Sequence, residues 1–267
     1  MSVIRSRDNP RVKAWMRLAV DPRERREHGL ALIEGVHLVD TYLQEGGEPK
    51  TLLVSEEALS KPEISRIMER SSTVPVILAD AIFKRISNAQ TPVGVAAEIE
   101  IPANPIDPAS SDGCVFLDGL QDAGNVGTVL RSAAAFGIRD VFVGRGCADP
   151  WSPKALRAAM GGHFFLRIAL SADLASDVSR FGQHSVCATA HGGVALDSLD
   201  LRARIGWIFG SEARGTSESV AVAASFKATI ETPGGAESLN VAASAAICFY
   251  ERQRQLKGRI NTRAARS

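Results

Sequence analysis

Three polar, glycine-containing segments hold the residue types that group-transfer chemistry uses. The first runs from Asp118 to Arg131, and the apolar residues after Asn125 keep the spacing of one helix face. Asn125 is predicted to be the N-cap of this helix, and Arg131 falls outside its apolar stripe. A cation near the free amides of a helix start is suited to hold a phosphate or an alkoxide. The alternative is that Asn125 only caps the helix and Arg131 is only solvated.

The second segment, 208–217, follows an apolar run that is predicted to be a buried strand. Gly210 and Gly215 allow a tight turn in which the backbone closely approaches a ligand. Thr216 or Ser217 is expected to cap the helix that follows.

The third segment, 230–240, leads into Val241 to Tyr250, which is apolar on nearly every side. We expect this helix to be buried. Burial of its start would place Ser238 and Asn240 in the interior or at an interface, where their polar groups must find partners.

Several common sites are excluded by the sequence. There is no Walker-type phosphate loop and no Gly-x-Ser-x-Gly elbow. The nearest dinucleotide fingerprint, which starts with Gly144 and Gly146, has Asp149 where the third glycine should stand. The four cysteines and five histidines show neither zinc-ligand nor disulfide spacing, so we assign them no role and expect no metal.

The elements that must position these segments read as an α/β fold. Short apolar runs alternate with helical stretches after residue 113, which indicates a parallel sheet covered on both faces. Ligands of such sheets bind beyond the carboxyl ends of the strands, where the three segments lie. The predicted strands are Cys114 to Leu117, Asp140 to Val143, Phe164 to Leu170, Ser185 to Ala190, Ile205 to Phe209 and Phe226 to Ile230.

The N-terminal part is predicted to be a smaller mixed α/β domain. Three prolines in the run from Ile101 to Gly113 mark a linker after it. The expected division is a first domain over 1–104, a linker over 105–113, a second domain over 114–258 and a basic tail over 259–267. The predicted elements of the first domain are strands over 30–34, 51–55, 74–78 and 94–99 and helices over 36–44 and 60–69.

Composition limits the class of protein and of partner. The 267 residues carry 31 Lys+Arg against 30 Asp+Glu and are 45% hydrophobic, which is typical of a globular chain. No run is long enough to span a membrane, and the charged start lacks the apolar core of a secretion signal, so we expect a cytoplasmic protein. Both ends are basic, which suggests a polyanionic partner met by part of the surface; the alternative is a solvated helix face and a disordered tail.

Together, the three segments resemble the SpoU/TrmH group of the SPOUT RNA 2′-O-ribose methyltransferases. The matching signatures are DAGNVGTVLRSAAAFG at 122–137, IFGSEARG at 208–215 and IETPGGAESLNVAASAA at 230–246. The segments 4–18 and 32–39 also resemble the ribosomal-L30e-like RNA-binding domain that precedes the catalytic domain in many members. Two departures are Ala123 for a common proline and Ser211 for a common asparagine.

The resemblance implies a trefoil knot that holds S-adenosylmethionine and a homodimer formed through the C-terminal domain. It places Asn125 and Arg131 on the substrate side. The remaining catalytic positions that it implies are Glu212, Ser238 and Asn240. The implied cofactor-binding residues are Thr189, Ala190, Gly210, Gly215, Ile230 and Leu239.

The implied reaction is methyl transfer to a ribose 2′-hydroxyl. The expected substrate is ribosomal RNA, because the extra N-terminal domain favours it over transfer RNA. A guanidinium rarely gives up its proton, so Arg131 is expected to stabilise the developing alkoxide rather than act as the base. Glu212 is an alternative proton acceptor. A transfer-RNA enzyme of the same family and a non-catalytic RNA-binding or ribosome-assembly factor stay open as alternatives. RNA phosphates are expected to meet Arg5, Arg7, Arg11 and Lys13.

Overall fold

A computed structural model describes residues 3–103, 105–234 and 237–264, with side chains up to residue 257. The chain divides into two compact units. The first combines the N-terminal residues up to Ala103 with the segment Trp151–Phe164, and the second combines the residues up to Pro150 with those from Phe165 onward. The predicted tail falls partly outside this range: residues 265–267 are not described, nor are the side chains of 258–264.

The first unit is a mixed sheet with helices. Its strand order is β1-β4-β3-β5-β2, in which β1, β4 and β3 are parallel while β5 is antiparallel to both of its neighbours. The small mixed α/β domain expected from the sequence is therefore confirmed. Its elements are β1 Val3–Ile4, α1 Pro10–Val20, α2 Pro22–His28, β2 Leu30–Glu34, α3 Val36–Gln44, β3 Thr51–Ser55, a 3-10 helix Glu57–Ser60, α4 Pro62–Arg70, β4 Val76–Leu78, α5 Asp80–Ile86 and β5 Val95–Glu100.

The second unit is built on a sheet of seven strands in which every pairing is parallel, as predicted. The strand order is β10-β12-β9-β11-β6-β7-β8. The remaining elements of the chain are 3-10 helices Pro108–Ser110, Gly162–Phe165 and Leu196–Ser198, together with β6 Cys114–Asp118, α6 Ala123–Ala135, β7 Asp140–Val143, α7 Pro153–Ala159 in the first unit, β8 Arg167–Leu170, α8 Leu174–Phe181, β9 Ser185–Ala188, β10 Val194–Ala195, β11 Gly206–Gly210, α9 Glu218–Ala223, β12 Phe226–Thr229 and α10 Val241–Ala264.

Apolar side chains on both faces of the central strands explain why helices cover the sheet twice. On one face Phe116 packs with Phe181 of α8 and Val220 of α9. On the other face Phe209 contacts Phe249 of α10, with ring centroids 5.8 Å apart. α10 also packs along α6. Burying strands on both sides requires near-continuous apolar sequence, which is the pattern that these strands show.

The predicted linker, 105–113, belongs to the second unit and is held in place there by polar contacts. Ser111 Oγ donates to Asp140 Oδ2 at 2.6 Å, and Arg204 Nη1 donates to the carbonyl oxygen of Ala109 at 2.7 Å. Asp140 is buried and also accepts two hydrogen bonds from Arg167. These contacts lie at the amino-terminal ends of β6 and β7, away from the ligand-binding edge. Among the described helices, none is both long and apolar enough to cross a bilayer.

Candidate functional site

A cleft of about 800 Å³ opens in the second unit, where the segments after β9, β11 and β12 meet. This is the edge at which parallel sheets bind ligands. Nine of the predicted site residues line it: Thr189, Ala190, Gly210, Glu212, Gly215, Ile230, Ser238, Leu239 and Asn240. The lining also contains charges of both signs, contributed by Glu237, Arg214 and Lys227 besides Glu212.

The wall formed after β11 is a closed backbone turn. Ser211 and Gly215 pair as an isolated antiparallel bridge, with the Ser211 amide 3.0 Å from the Gly215 carbonyl oxygen and the reverse bond at 2.8 Å. Gly210 lies against this bridge so closely that a Cβ atom there would be 2.2 Å from both Gly215 C and Thr216 N. Only glycine fits that position, so the cleft presents bare backbone here.

A chain of side-chain hydrogen bonds joins the three polar segments, and we call it the amide relay: Asn125, Glu212 and Asn240. Asn125 Nδ2 donates to Glu212 Oε1 at 2.5 Å, and Asn240 Nδ2 donates to Asn125 Oδ1 at 3.1 Å. Asn240 Oδ1 accepts from the backbone amide of Ala242 at 2.9 Å at the start of α10. Each relay member has a defined orientation, because its partners require donors and acceptors in one order.

The expectation that Asn125 is the N-cap of α6 is wrong. The helix begins at Ala123, and Asp122 is the N-cap, with its Oδ1 accepting from the Asn125 amide at 2.9 Å. A carboxylate can serve this role as well as an amide can, and the earlier start places Asn125 within the first turn. The Asn125 side chain is consequently available for the amide relay.

Asp118 has a positioning role that sequence reasoning missed. It ends β6 directly beside Gly210 of β11, and its Oδ2 accepts from the Ser217 amide at 2.7 Å. Ser217 is the N-cap of α9, so this bond ties the end of the second segment to the neighbouring strand. The available signal was a carboxylate at the carboxyl end of a buried strand, but its partner lies 99 positions away.

Arg131 is exposed on α6 and is not among the residues that line the cleft. It lies six positions after Asn125, which is about 9 Å further along the helix axis. Six residues make one full turn plus about two-thirds of another, so the two residues lie on different sides of the helix. Within the described residues it has no hydrogen bond or ion pair. Asn125 is therefore connected to the cleft through the amide relay, whereas the Arg131 guanidinium is solvated.

The expected burial of the last helix is wrong for the single chain. α10 buries one side against α6 and β11, but Ile247 is 40% exposed and Tyr250 is 60% exposed. These residues and Ala243 form an exposed stripe along the helix. Ser238 and Asn240 are exposed as well, so they do not lie in the interior of this chain.

The described residues of the cleft do not form a metal site, and its buried cysteine is protonated. No group of three or more His, Cys, Asp or Glu residues suited to a metal ion occurs in the part of the chain that the structure describes. Cys187 lines the cleft floor and contacts Thr216, with Sγ 3.3 Å from Oγ1. Burial raises the pKa of the Cys187 thiol, which keeps it protonated and unreactive near neutral pH.

The four basic residues predicted to meet RNA lie on the surface of the first unit. Arg5 pairs with Glu56 at 2.6 Å, and Lys13 pairs with Asp8 at 3.1 Å. The Arg11 guanidinium lies over the Trp15 ring, 5.1 Å from its centroid. Exposed ion pairs of this kind are weak, so these cations can exchange their partners for phosphates.

Comparison with known protein families matches each unit. Residues 113–250 match the SpoU rRNA methylase family, and residues 9–97 match the MRM3-like substrate binding domain. The first match includes all three polar segments and the whole cleft lining.

Individual relatives extend over nearly the full chain. The 23S rRNA (guanosine(2553)-2′-O)-methyltransferase RlmP of Bacillus subtilis is 32% identical over 253 residues, which is 94% of this chain and 98% of the relative. The crystal structure of an RNA 2′-O ribose methyltransferase superposes with a TM-score of 0.79 at 30% identity, with 95% of this chain and 99% of that chain covered. An AdoMet-bound rRNA methyltransferase from Sinorhizobium meliloti gives 0.82 at 26% identity, covering 96% and 98%.

Proposed function

We propose that this chain, which belongs to the SpoU rRNA methylase family, is an S-adenosylmethionine-dependent RNA 2′-O-ribose methyltransferase that acts on ribosomal RNA. The observation that carries the proposal is the amide relay, two of whose members, Glu212 and Asn240, line the cleft. It joins Asn125, Glu212 and Asn240, which come from three separate segments, through side-chain hydrogen bonds. Two relatives that match 94% and 95% of this chain are named as 2′-O-methyltransferases of 23S rRNA.

The cleft fits S-adenosylmethionine in size and in chemistry. The bare backbone at Gly210 permits close approach of a ligand, and charges of both signs suit a molecule that carries a carboxylate, an ammonium and a sulfonium. When bound, S-adenosylmethionine supplies an electrophilic methyl group on its sulfur. The residues proposed to hold it are Thr189, Ala190, Gly210, Gly215, Ile230 and Leu239.

The relay is proposed to position a proton acceptor beside the substrate hydroxyl. Because Asn125 holds Oε1 of Glu212, the other oxygen, Oε2, is left to accept the 2′-hydroxyl proton. Asn125 therefore orients the carboxylate. Ser238, which lines the same cleft and has an exposed side chain, is proposed to contact the ribose or its phosphate.

Arg131 is proposed to stabilise negative charge on the RNA side. A guanidinium stays protonated in proteins, so it can hold the developing alkoxide or an adjacent phosphate but not act as the base. Its lack of a partner among the described side chains leaves its donors available. Arg131 lies on α6, which packs against α10, so it is on the same side of the sheet as the exposed stripe.

That stripe supports a homodimer formed through the second unit. Ala243, Ile247 and Tyr250 recur at helical spacing and are exposed in the single chain, which is the pattern of a helix that packs on a second copy. We also propose the family's trefoil knot in the segments that close the cleft. A cytoplasmic location is proposed because the relatives act on ribosomal RNA.

Labelled cofactor separates the proposal from its alternatives. The protein is incubated with methyl-labelled S-adenosylmethionine and separate pools of ribosomal and transfer RNA, and alkali-resistant linkages are then mapped, since a 2′-O-methylated ribose resists alkaline cleavage. We expect label at such a linkage in ribosomal RNA. Label only in transfer RNA would identify the protein as a transfer-RNA methyltransferase of the same family. Cofactor binding without methyl transfer would favour the non-catalytic RNA-binding or ribosome-assembly factor.

A further inference from the structure

The two helical layers of the first unit differ in charge. α1 and α5 lie on one face of the sheet, because Trp15 and Phe83 pack in a single cluster with Leu53 of the central strand. α3 and α4 pack against each other and contribute no residue to that cluster. Strand residues that alternate with it, such as Ile33 and Leu52, are also buried, so α3 and α4 cover the opposite face.

The α1–α5 layer carries a clear excess of basic residues, whereas α3 and α4 are nearly balanced in charge. Asp80 is the sole acidic residue in α1 and α5, both of which are fully described, whereas these helices contain five Lys and Arg residues: Arg11, Lys13, Arg17, Lys84 and Arg85. The opposite layer contains three acids against two arginines: Asp40, Glu63 and Glu69 against Arg66 and Arg70. The excess of cations in α1 and α5 gives the unit one side that attracts polyanions.

Two of the cations on the basic face have no local partner. Arg17 pairs with Glu24 at 2.9 Å, and Lys13 and Arg11 have the contacts described above. By contrast, Lys84 and Arg85 are exposed and have no ion pair or hydrogen bond within the described part of the chain. They are separated from α1 by about 70 positions in sequence, and only the packing of α5 on α1 brings them to the same face.

We propose that the α1–α5 face of the first unit binds the phosphate backbone of the substrate RNA, with Lys84 and Arg85 as its principal phosphate contacts. The inference rests on the proposed function, because it requires an RNA substrate. Each phosphate contact releases condensed counterions, so binding through this face depends on salt. The alternative is that the two cations, which lie in the last turn of α5, only stabilise the helix dipole.

The test compares neutral substitutions on the two faces. Arg85→Gln and the double variant Lys84→Gln/Arg85→Gln are matched with Arg66→Gln, an exposed arginine on α4 that likewise has no partner among the described residues. Affinity for protein-free 23S rRNA transcript is measured between 50 and 200 mM salt. Loss of two phosphate contacts lowers the salt slope by about 1.4–1.8, so the wild-type affinity falls roughly tenfold more over this range than that of the double variant.

The outcomes distinguish this inference from the proposed function. A shallower salt slope for the α5 variants, with an unchanged slope for Arg66→Gln, supports the basic face. Equal salt slopes for all proteins, with methyl transfer to ribosomal RNA retained, would overturn the proposal that the α1–α5 face binds RNA. The proposed function would be unaffected. A drop in melting temperature with unchanged RNA binding would assign the cations to the helix dipole instead. Absence of RNA binding by the wild type would overturn both.

Discussion

Substituting alanine for Gly210 tests whether the bare backbone at the end of β11 shapes the cleft. The added Cβ would lie 2.2 Å from Gly215 C and Thr216 N, whereas ordinary contacts begin at 3.4 Å. The two backbone segments must therefore separate by about 1.2 Å, since neither clashing atom belongs to a side chain that could rotate away. Overpacking of this kind costs about 1–3 kcal/mol.

The free-energy cost of Gly210→Ala predicts two measurable effects. At about 2–4 °C per kcal/mol for a chain of this size, the melting temperature should fall by roughly 2–12 °C. A displacement near 1 Å in the cofactor wall should also lower kcat/KM by about 100-fold, because catalysis depends on the placement of the reacting groups. Thermal unfolding and methyl-transfer kinetics measure these effects, and calorimetric titration gives the affinity for S-adenosylmethionine.

Gly234→Ala is the matched control. It makes the same chemical change in the third polar segment, but a Cβ there has no heavy atom of the described residues within 4 Å. We expect this variant to match the wild type in stability and activity. If Gly210→Ala retained the wild-type melting temperature and cofactor affinity, the close approach of Gly210 to the bridge at Gly215 would not constrain the cleft, and the reasoning would fail.

Four further substitutions test the site, and a pH series with a fifth substitution tests a buried thiol of α10. Arg131→Ala should abolish methyl transfer while calorimetry still detects S-adenosylmethionine binding. The control Arg139→Ala, which removes another exposed arginine, should retain activity. Full activity of Arg131→Ala would reject the role proposed for Arg131. Asn240→Ala should cost about 1 kcal/mol through the lost helix cap, whereas Asn240→Asp should keep the cap and the melting temperature but lower kcat, because a carboxylate cannot donate to Asn125. Burial raises the pKa of the Cys248 thiol to about 12, so the folded chain keeps a proton that the unfolded chain releases above about pH 8.5. Melting temperature should therefore fall as pH rises from 8 to 11, and the fall should be smaller in Cys248→Ala; an identical fall in both proteins would contradict the assignment.

The sequence by itself determined the main strands of the parallel sheet and the three polar segments proposed to form the site. Continuous apolar runs between turn residues predicted the parallel sheet, and strands such as Asp140–Val143 begin and end where the pattern indicates. The glycines at 210 and 215 indicated a close backbone turn, which the bridge from Ser211 to Gly215 shows. These features depend on residues that are near one another in the chain, so local pattern is enough to predict them.

Only the tertiary structure decided which polar groups pair. Asn125 bonds to residues 87 and 115 positions away, and Asp118 accepts a hydrogen bond from the backbone amide of Ser217, 99 positions away. The same limit applies to Lys84 and Arg85, whose place beside α1 depends on helix packing. Hydrogen bonds and charge patches of this kind depend on the topology that brings distant residues together. The spacing of residue types along the sequence does not predict that topology.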